Sequence, residues 1–455
     1  MIEPVKYYST NLRAPEVTFK DALLKGIAPD RGLFMPNRIP VFSADEIAEL
    51  SLRKYYEIAY EVLYKFLKGE ISSPDLLVIC RKAYDFEVPL EHVSDRKYVM
   101  RLDQGPTASF KDFAARMMGR LMQYYLDIEQ SELLILTATS GDTGSAIANA
   151  FYGLDNIKCV VLFPENEVTN RQRKQMTTLG KNIQILALDA KFDDCQHLVK
   201  QAFADTDLDY LHLSSANSIN IGRILPQIVY YFYAYARLCK NPDDKIIFSV
   251  PSGNFGDMMG GVFAMRMGLP VEKFVIACNE NDEFPVFVHT GKYAKIVPSK
   301  NCLSSAMNVG HPSNLARLVA LYGGVMDEKG NITKSPDMER MRKEIFAVSI
   351  TDDQTKEMIE KAYKEHKLLL EPHGSVGWSG LETFLEDNPA YKTPEQLCVS
   401  LETAHPAKFP EQIQKILNID PALPPSLEGI EQKKESYDIL ENYYPAFKEY
   451  LVKKY

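Results

Sequence analysis

The sequence predicts an α/β protein: two parallel, helix-covered sheets with a mainly helical unit at the N-terminus. Three observations lead there. Between residues 133 and 205, short apolar runs alternate with helical patterns. Leu133–Leu136, Lys158–Phe163 and Ile183–Leu188 read as buried strands, and 145–151, 170–179 and 193–205 as helices. A second series starts at Ile246–Val250 and continues through a helix at 257–267 to a strand at Phe274–Cys278. Residues 43–83 instead repeat apolar side chains at helical spacing.

Taken in order, the first 40 residues are extended and punctuated by prolines, with Asp30–Pro36 reading as a tight turn leading into a docked strand. A helix is expected over 43–68, capped by Ser43 with Glu46 and striped by Ile47, Leu50, Ile58, Val62 and Phe66. Another starts at Ser73-Pro74-Asp75. A tyrosine-rich helix covers about 219–238, and Pro242-Asp243-Asp244 breaks the chain. Helices are expected at about 313–322, 336–346 and 352–366, then a strand at Leu397–Leu401. Residues 281–312 read equally as a lid or a structured connection, and the last 40 or so as charged, surface-wrapping helix.

A chain of 455 residues exceeds one simple core, so two or three domains are expected. The net charge of −9 argues against general attraction to nucleic acid or an acidic membrane surface. No window reaches the length of a membrane span, and the N-terminus has no apolar signal core. Seven scattered cysteines, without metal-like spacing, read as reduced thiols of a cytoplasmic protein.

Four stretches carry chemistry. Lys111 falls in the first turn of a helix, with Ser109 as the expected N-cap and Asp112 three residues on. The positive end of a helix disfavours a cation, so this amine sheds its proton more readily, and a neutral amine forms Schiff bases. Ser252-Gly253-Asn254-Phe255-Gly256 lies between a buried strand and a helix start, where amides and the helix N-terminus cradle an anion. Its spacing matches neither the Walker pattern nor the dinucleotide fingerprint. Thr139-Ser140-Gly141-Asp142-Thr143-Gly144 has the same placement, suited to a carboxylate. Asp142 there should point away from an anion or toward a donor such as a phenolic hydroxyl. Thr403 follows a strand end and offers a hydroxyl to a ring heteroatom. Taken singly, these are also a solvated lysine, a tight turn, a capping loop and a local cap.

Together they are far more specific. Ser-Phe-Lys-Asp at 109–112, Thr-Ser-Gly-Asp-Thr-Gly at 139–144, Asn-Ser-Ile-Asn-Ile-Gly-Arg-Ile-Leu-Pro-Gln at 217–227, Ser-Gly-Asn-Phe-Gly-Asp at 252–257 and Thr-Ala-His-Pro-Ala-Lys-Phe at 403–409 occur in this order. The chain resembles the threonine synthases, of the pyridoxal-phosphate fold-type II group that includes tryptophan synthase β and cysteine synthase. The resemblance runs from Tyr7 to about residue 410. It implies an N-terminal unit at 1–95, a large cofactor-binding domain from 96–125 and 235–455, and a smaller α/β domain at 126–234.

The resemblance also implies roles. Lys111 would carry pyridoxal 5'-phosphate as a Schiff base. Gly253, Asn254, Phe255 and Gly256 would cradle its phosphate, with Asp257 at the loop's end, and Thr403 would meet the pyridine nitrogen. Thr139, Ser140, Asp142 and Thr143 would face the substrate carboxylate. Ser218, Asn220 and Arg223 would reach the substrate phosphate, and His373 lies near. Family members often carry Asp-Pro-His-Thr where this chain has Glu371-Pro372-His373-Gly374. The implied reaction converts O-phospho-L-homoserine and water to L-threonine and phosphate by γ-elimination and β-addition, with Lys111 as travelling base. Two alternatives stand beside it. One is a related phospholyase releasing a keto acid. The other is a non-catalytic amino-acid-binding protein, against which Lys111 and the complete phosphate loop argue. The expected partner is the small-molecule substrate, on a monomer or homodimer.

Overall fold

Residues 4–139, 141–241 and 244–455 are described in a computed structural model. The helical spacing near the N-terminus gives helices Ala44–Glu49, Tyr55–Leu67 and Ser73–Ala83. The single helix expected over 43–68 is thus broken by a 3-10 turn at Leu50–Leu52. Arg53 is extended, and the chain restarts at Lys54, whose N–H donates to Glu57 at 2.7 Å. Ile58, Val62 and Phe66 are buried and share one core with Phe113, Met117 and Leu121 of the helix Lys111–Glu129. The N-terminal unit therefore supports the lysine's helix from behind. Phe34–Pro36 docks as an antiparallel strand on Tyr7–Ser9.

Among the described residues two larger sheets form. In the six-stranded sheet the order is Ile345–Ser349, Val271–Cys278, Ile246–Pro251, Leu397–Glu402, Lys97–Arg101, Leu90–Ser94. All neighbours are parallel except the last, an antiparallel edge built from the end of the segment assigned to the N-terminal unit. In the five-stranded parallel sheet the order is Asp438–Ile439, Ile183–Leu188, Ile157–Pro164, Leu133–Ala138, Leu213–Ser214.

The chain's end departs from the sequence-based division, which kept it with the large domain. It crosses to the smaller sheet, where Asp438–Ile439 pairs beside Ile183–Leu188. The helix Tyr444–Lys454 then buries Phe447 and Leu451, with Leu440, against Leu186, Leu198 and Val199. Burial of these apolar residues seats an otherwise charged tail. The helix expected at about 336–346 is Met338–Glu344, followed directly by a strand at Ile345–Ser349, and Pro372–Asp387 forms a long buried helix in a stretch with no assigned element. Residues 281–312 are a structured connection containing the helix Glu283–Thr290 and a 3-10 turn at Ser305–Met307. Among the described residues no helix is long and apolar enough to cross a membrane.

Candidate active site

The neighbouring strands Lys97–Arg101 and Leu397–Glu402 are parallel, so their C-terminal ends lie side by side. Their pairing continues into the loops beyond. Leu102 donates to the Glu402 carbonyl (3.0 Å), Phe110 to that of Thr403 (2.9 Å), and His405 to that of Ala108 (3.0 Å). This clamp sets Lys111 beside Thr403. Phe110, rather than Ser109, occupies the cap position, and the Ser109 hydroxyl is buried without a partner. Asp112 folds back instead, accepting the Thr107 N–H at 2.8 Å and its hydroxyl at 2.6 Å. A Cβ on Gly105 would stand 2.4 Å from Asp112 Oδ2, so glycine is needed there.

Lys111 Nζ lies 4.6 Å over the Phe110 ring and 3.9 Å from Asp142 Oδ2. Burial pulls its pKa down; Asp142 opposes this, and the charges of Lys408 and Arg223 reinforce it. The amine's pKa is thus lowered, with burial as the largest cause. Asp142 opens the helix Asp142–Phe151, and its donors are not phenols. Oδ1 takes the Lys408 ammonium at 2.7 Å and the Gln172 amide at 2.8 Å. Against the opposing effect of burial, Lys408 and Lys111 hold Asp142 well below the usual carboxylate range. Thr139 is used by its own loop: its hydroxyl accepts from the amides of Gly141 (2.9 Å) and Gly144 (2.8 Å). Thr143 is half-buried in the first turn, and Ser140 lies outside the described residues.

The Gly253–Gly256 turn enters the helix Gly256–Arg266 through Phe255 in left-handed conformation, φ 61°. That reversal, followed by the unpaired amides of a helix start, forms an anion-binding concavity. The hard-to-read segment 281–312 walls it. Phe284 meets Phe255 edge-on at 4.7 Å, and a Cβ on Gly253 would come within 2.9 Å of Met307 Cα. Asn254 is exposed, with Oδ1 accepting from the Ser313 hydroxyl at 3.2 Å. Asp257 faces backward onto Tyr230 (2.5 Å) and Tyr231 (2.8 Å), and burial pushes its pKa up to about 6.

The 217–227 stretch adjoins this turn. Asn314 bridges the carbonyls of Ser218 (3.2 Å) and Asn254 (2.9 Å). Arg317, fully buried, binds the carbonyls of Ser218, Ile219 and Phe34, and burial lowers its pKa to about 9. Asn220 is consumed locally: it caps Gly222 N–H (2.9 Å) and donates to the Leu23 and Ser215 carbonyls. The side chain expected at a substrate phosphate thus holds the loop. Arg223 is different. It donates to the Ala216 carbonyl at 2.9 Å, its Nε is buried without a partner, and burial lowers its pKa to about 10. An under-satisfied buried guanidinium is costly until it meets an anion.

His373 donates from Nδ1 to Glu371 (2.6 Å) and accepts the Ala306 N–H at Nε2 (3.0 Å), bracing the turn over Gly253. The exchange of threonine for Gly374 has a physical cause. A Cβ there would stand 1.5 Å from Glu402 Oε2. Glu402 is buried, accepts the Glu371 N–H at 2.9 Å, and burial and the Glu371 charge push its pKa well up. Lys408, Gln172, Arg317 and Glu402 escaped the sequence reading as individual groups. Lys408 stood inside the 403–409 run, but its partner is remote in sequence.

A pyridoxal phosphate fits this set: a buried amine of lowered proton affinity, a turn of unpaired amides at a helix start, and a hydroxyl beyond a neighbouring strand end. The fold and the cleft define a pyridoxal-phosphate-dependent enzyme of fold type II, and the family described as pyridoxal-phosphate dependent enzyme matches residues 88–399. Families described as threonine synthase N terminus and threonine synthase, C-terminal, match 6–84 and 376–451. The chain is 39% identical to the threonine synthase of Haemophilus influenzae, over 97% of this chain and 99% of that one. With the Escherichia coli threonine synthase it shares 37%, over 93% and 94%. A crystal structure of PLP-bound threonine synthase from Brucella melitensis superposes with a TM-score of 0.91 at 37% identity, covering 98% of each chain. The yeast threonine synthase structure gives 0.90 at 29%, also covering 98% of each. The chain belongs to the threonine synthase family.

Proposed function

We propose that this chain converts O-phospho-L-homoserine and water to L-threonine and phosphate. The observation that carries the reading is one buried amine, Lys111, flanked by two anion-binding features: the Gly253–Gly256 turn and the under-satisfied Arg223. One suits a cofactor phosphate, the other a substrate phosphate. The threonine synthase name of relatives from Haemophilus influenzae and Escherichia coli supports the same reaction.

In this reading the bound cofactor withdraws electrons from the substrate skeleton and acidifies its α and β protons. Lys111 would hold the cofactor, and its amine, when free, would be the base that moves protons at Cα, Cβ and Cγ of the substrate. Its flexible four-carbon stem reaches several neighbouring atoms in turn. Thr403 would offer the ring nitrogen a neutral hydroxyl, leaving it less strongly electron-withdrawing than a carboxylate partner would. Gly253, Asn254, Phe255 and Gly256 would hold the cofactor phosphate, with Asp257 behind them. Thr139, Ser140, Asp142 and Thr143 shape the place for the substrate carboxylate. Arg223, with Ser218 beside it in the same stretch, would bind the departing phosphate, while Asn220 holds the loop that carries them. Seven unpaired thiols support a reducing, cytoplasmic setting.

The test is product analysis on purified holoprotein with O-phospho-L-homoserine. Threonine and phosphate should appear in equal amounts; keto acid and ammonia as main products would overturn the reading. Arg223→Met should raise KM for the phosphorylated substrate about tenfold or more.

A further inference from the structure

Asp142 is a carboxylate placed between two lysines, and they hold it unequally. Lys408, wholly buried, donates to Asp142 Oδ1 at 2.7 Å and to the Thr107 carbonyl at 2.8 Å. Gln172 adds a second donor to the same oxygen, Oδ1, at 2.8 Å. Gln175, from the same helix, donates to the Thr107 carbonyl at 3.0 Å. Both strong donors therefore converge on Oδ1. Oδ2 is left to Lys111 at 3.9 Å, beyond hydrogen-bond length.

We infer that Lys408 is a positioning residue: it neutralises Asp142 and holds it off Lys111, so that the Lys111 amine stands beside a carboxylate without being tied to it. A carboxylate free to close on Lys111 would hold it as an ammonium, and an ammonium attacks no aldehyde and removes no proton. With Lys408 in place, its charge opposes that of Asp142 at Lys111, and burial is the largest influence on the amine. The same neutralisation removes the negative charge that would repel a substrate carboxylate from the 139–144 loop. Other charges also face Lys111: Arg223, Glu371 and Asp257. Of all these groups, Asp142 and Lys408 form the ion pair that one substitution can unbalance in either direction.

The inference rests on Lys111 as the cofactor-bearing amine, and the experiment separates the two. The cofactor is removed from the full chain, and the rate of reductive methylation of Lys111 is followed by peptide mass at pH 8. Lys408→Met leaves Asp142 with Lys111 as its nearest cation, and labelling should slow about tenfold. Asp142→Asn leaves the Lys408 charge bare beside Lys111, and labelling should quicken. The double variant should return toward the wild-type rate, and Lys408→Arg should stay near it. A residue that merely fills space would not move the two single variants in opposite directions. If Asp142→Asn slows labelling or leaves it unchanged, the inference is overturned, whether or not Lys408→Met folds. Borohydride trapping of pyridoxal phosphate on Lys111 in the holoprotein tests the cofactor reading by itself. Its failure would leave the labelling rates as a separate result.

Discussion

Gly374 and Glu402 occupy one space, and a methyl group at 374 should expose that. Gly374→Ala would place a Cβ 1.5 Å from Glu402 Oε2 and 2.5 Å from its Cδ. Glu402 has little freedom to retreat. Its Oε1 accepts the Glu371 N–H at 2.9 Å, and the Arg101–Asp103 ion pair (2.6 Å) stands at the same strand ends. Retreat would leave a buried N–H unpaired, at about 1–3 kcal/mol, and force a strained side chain, at about 1–3 kcal/mol. A loss of about 3 kcal/mol is expected, read as a lowered urea midpoint at unchanged slope. Glu402→Ala clears the space. In that background Gly374→Ala should cost nothing or even stabilise, because alanine is the better residue inside the helix Pro372–Asp387 by about 0.5–1 kcal/mol. The substitution therefore changes sign with its neighbour. Equal destabilisation in both backgrounds would refute the shared-space argument.

Asp257 should leave a pH signature on stability. Burial raises its folded pKa to about 6, above its value in an unfolded chain, so the folded state binds the proton more tightly. Its contribution is greatest below the unfolded pKa of about 4 and declines by about 3 kcal/mol as pH rises through 6. Unfolding free energies of the cofactor-free protein, wild type minus Asp257→Asn, should show that decline; a flat or rising difference would refute it. A chain ending after Leu427 should lose the cover of the smaller sheet. Leu440, Phe447 and Leu451 are buried there, at about 1.5–3 kcal/mol each. Limited proteolysis should then cut preferentially within 183–211, and unchanged protection would show that the tail stabilises nothing.

Much of the fold was legible because buried parallel strands are continuous apolar runs. Leu133–Ala138, Ile183–Leu188 and Ile246–Pro251 needed no partner to be recognised. The helix Pro372–Asp387 was not legible, because Pro-His-Gly-Ser-Val-Gly reads as a turn. Its glycines serve close approach instead: a Cβ on Gly377 would stand 3.0 Å from Pro251 Cδ, and one on Gly380 2.7 Å from Ala277 Cβ. A helix lying so near a sheet must be built from small residues, and local pattern reports that as a loop. The tail was misplaced for the converse reason. Its few apolar positions say that something is covered, and only the tertiary structure says which sheet.

The active site divides along the same line. Backbone requirements are local, so the Gly253–Gly256 turn and the strand-end Thr403 stood out from sequence. Charge balance is not local. An acid in a loop suited to anions looked like a conflict, for which a phenol was a reasonable guess. The resolution is Lys408, brought to Asp142 because the loop after Leu397–Glu402 pairs with the loop before Lys111. The same pairing thus sets three things at once: Thr403 beside Lys111, Lys408 on Asp142, and Asp142 just out of reach of Lys111. Shifting that clamp by one residue would exchange the inward and outward positions of 403–405. On the proposed role, the lysine's reactivity would depend on the register between two loops as much as on its own burial.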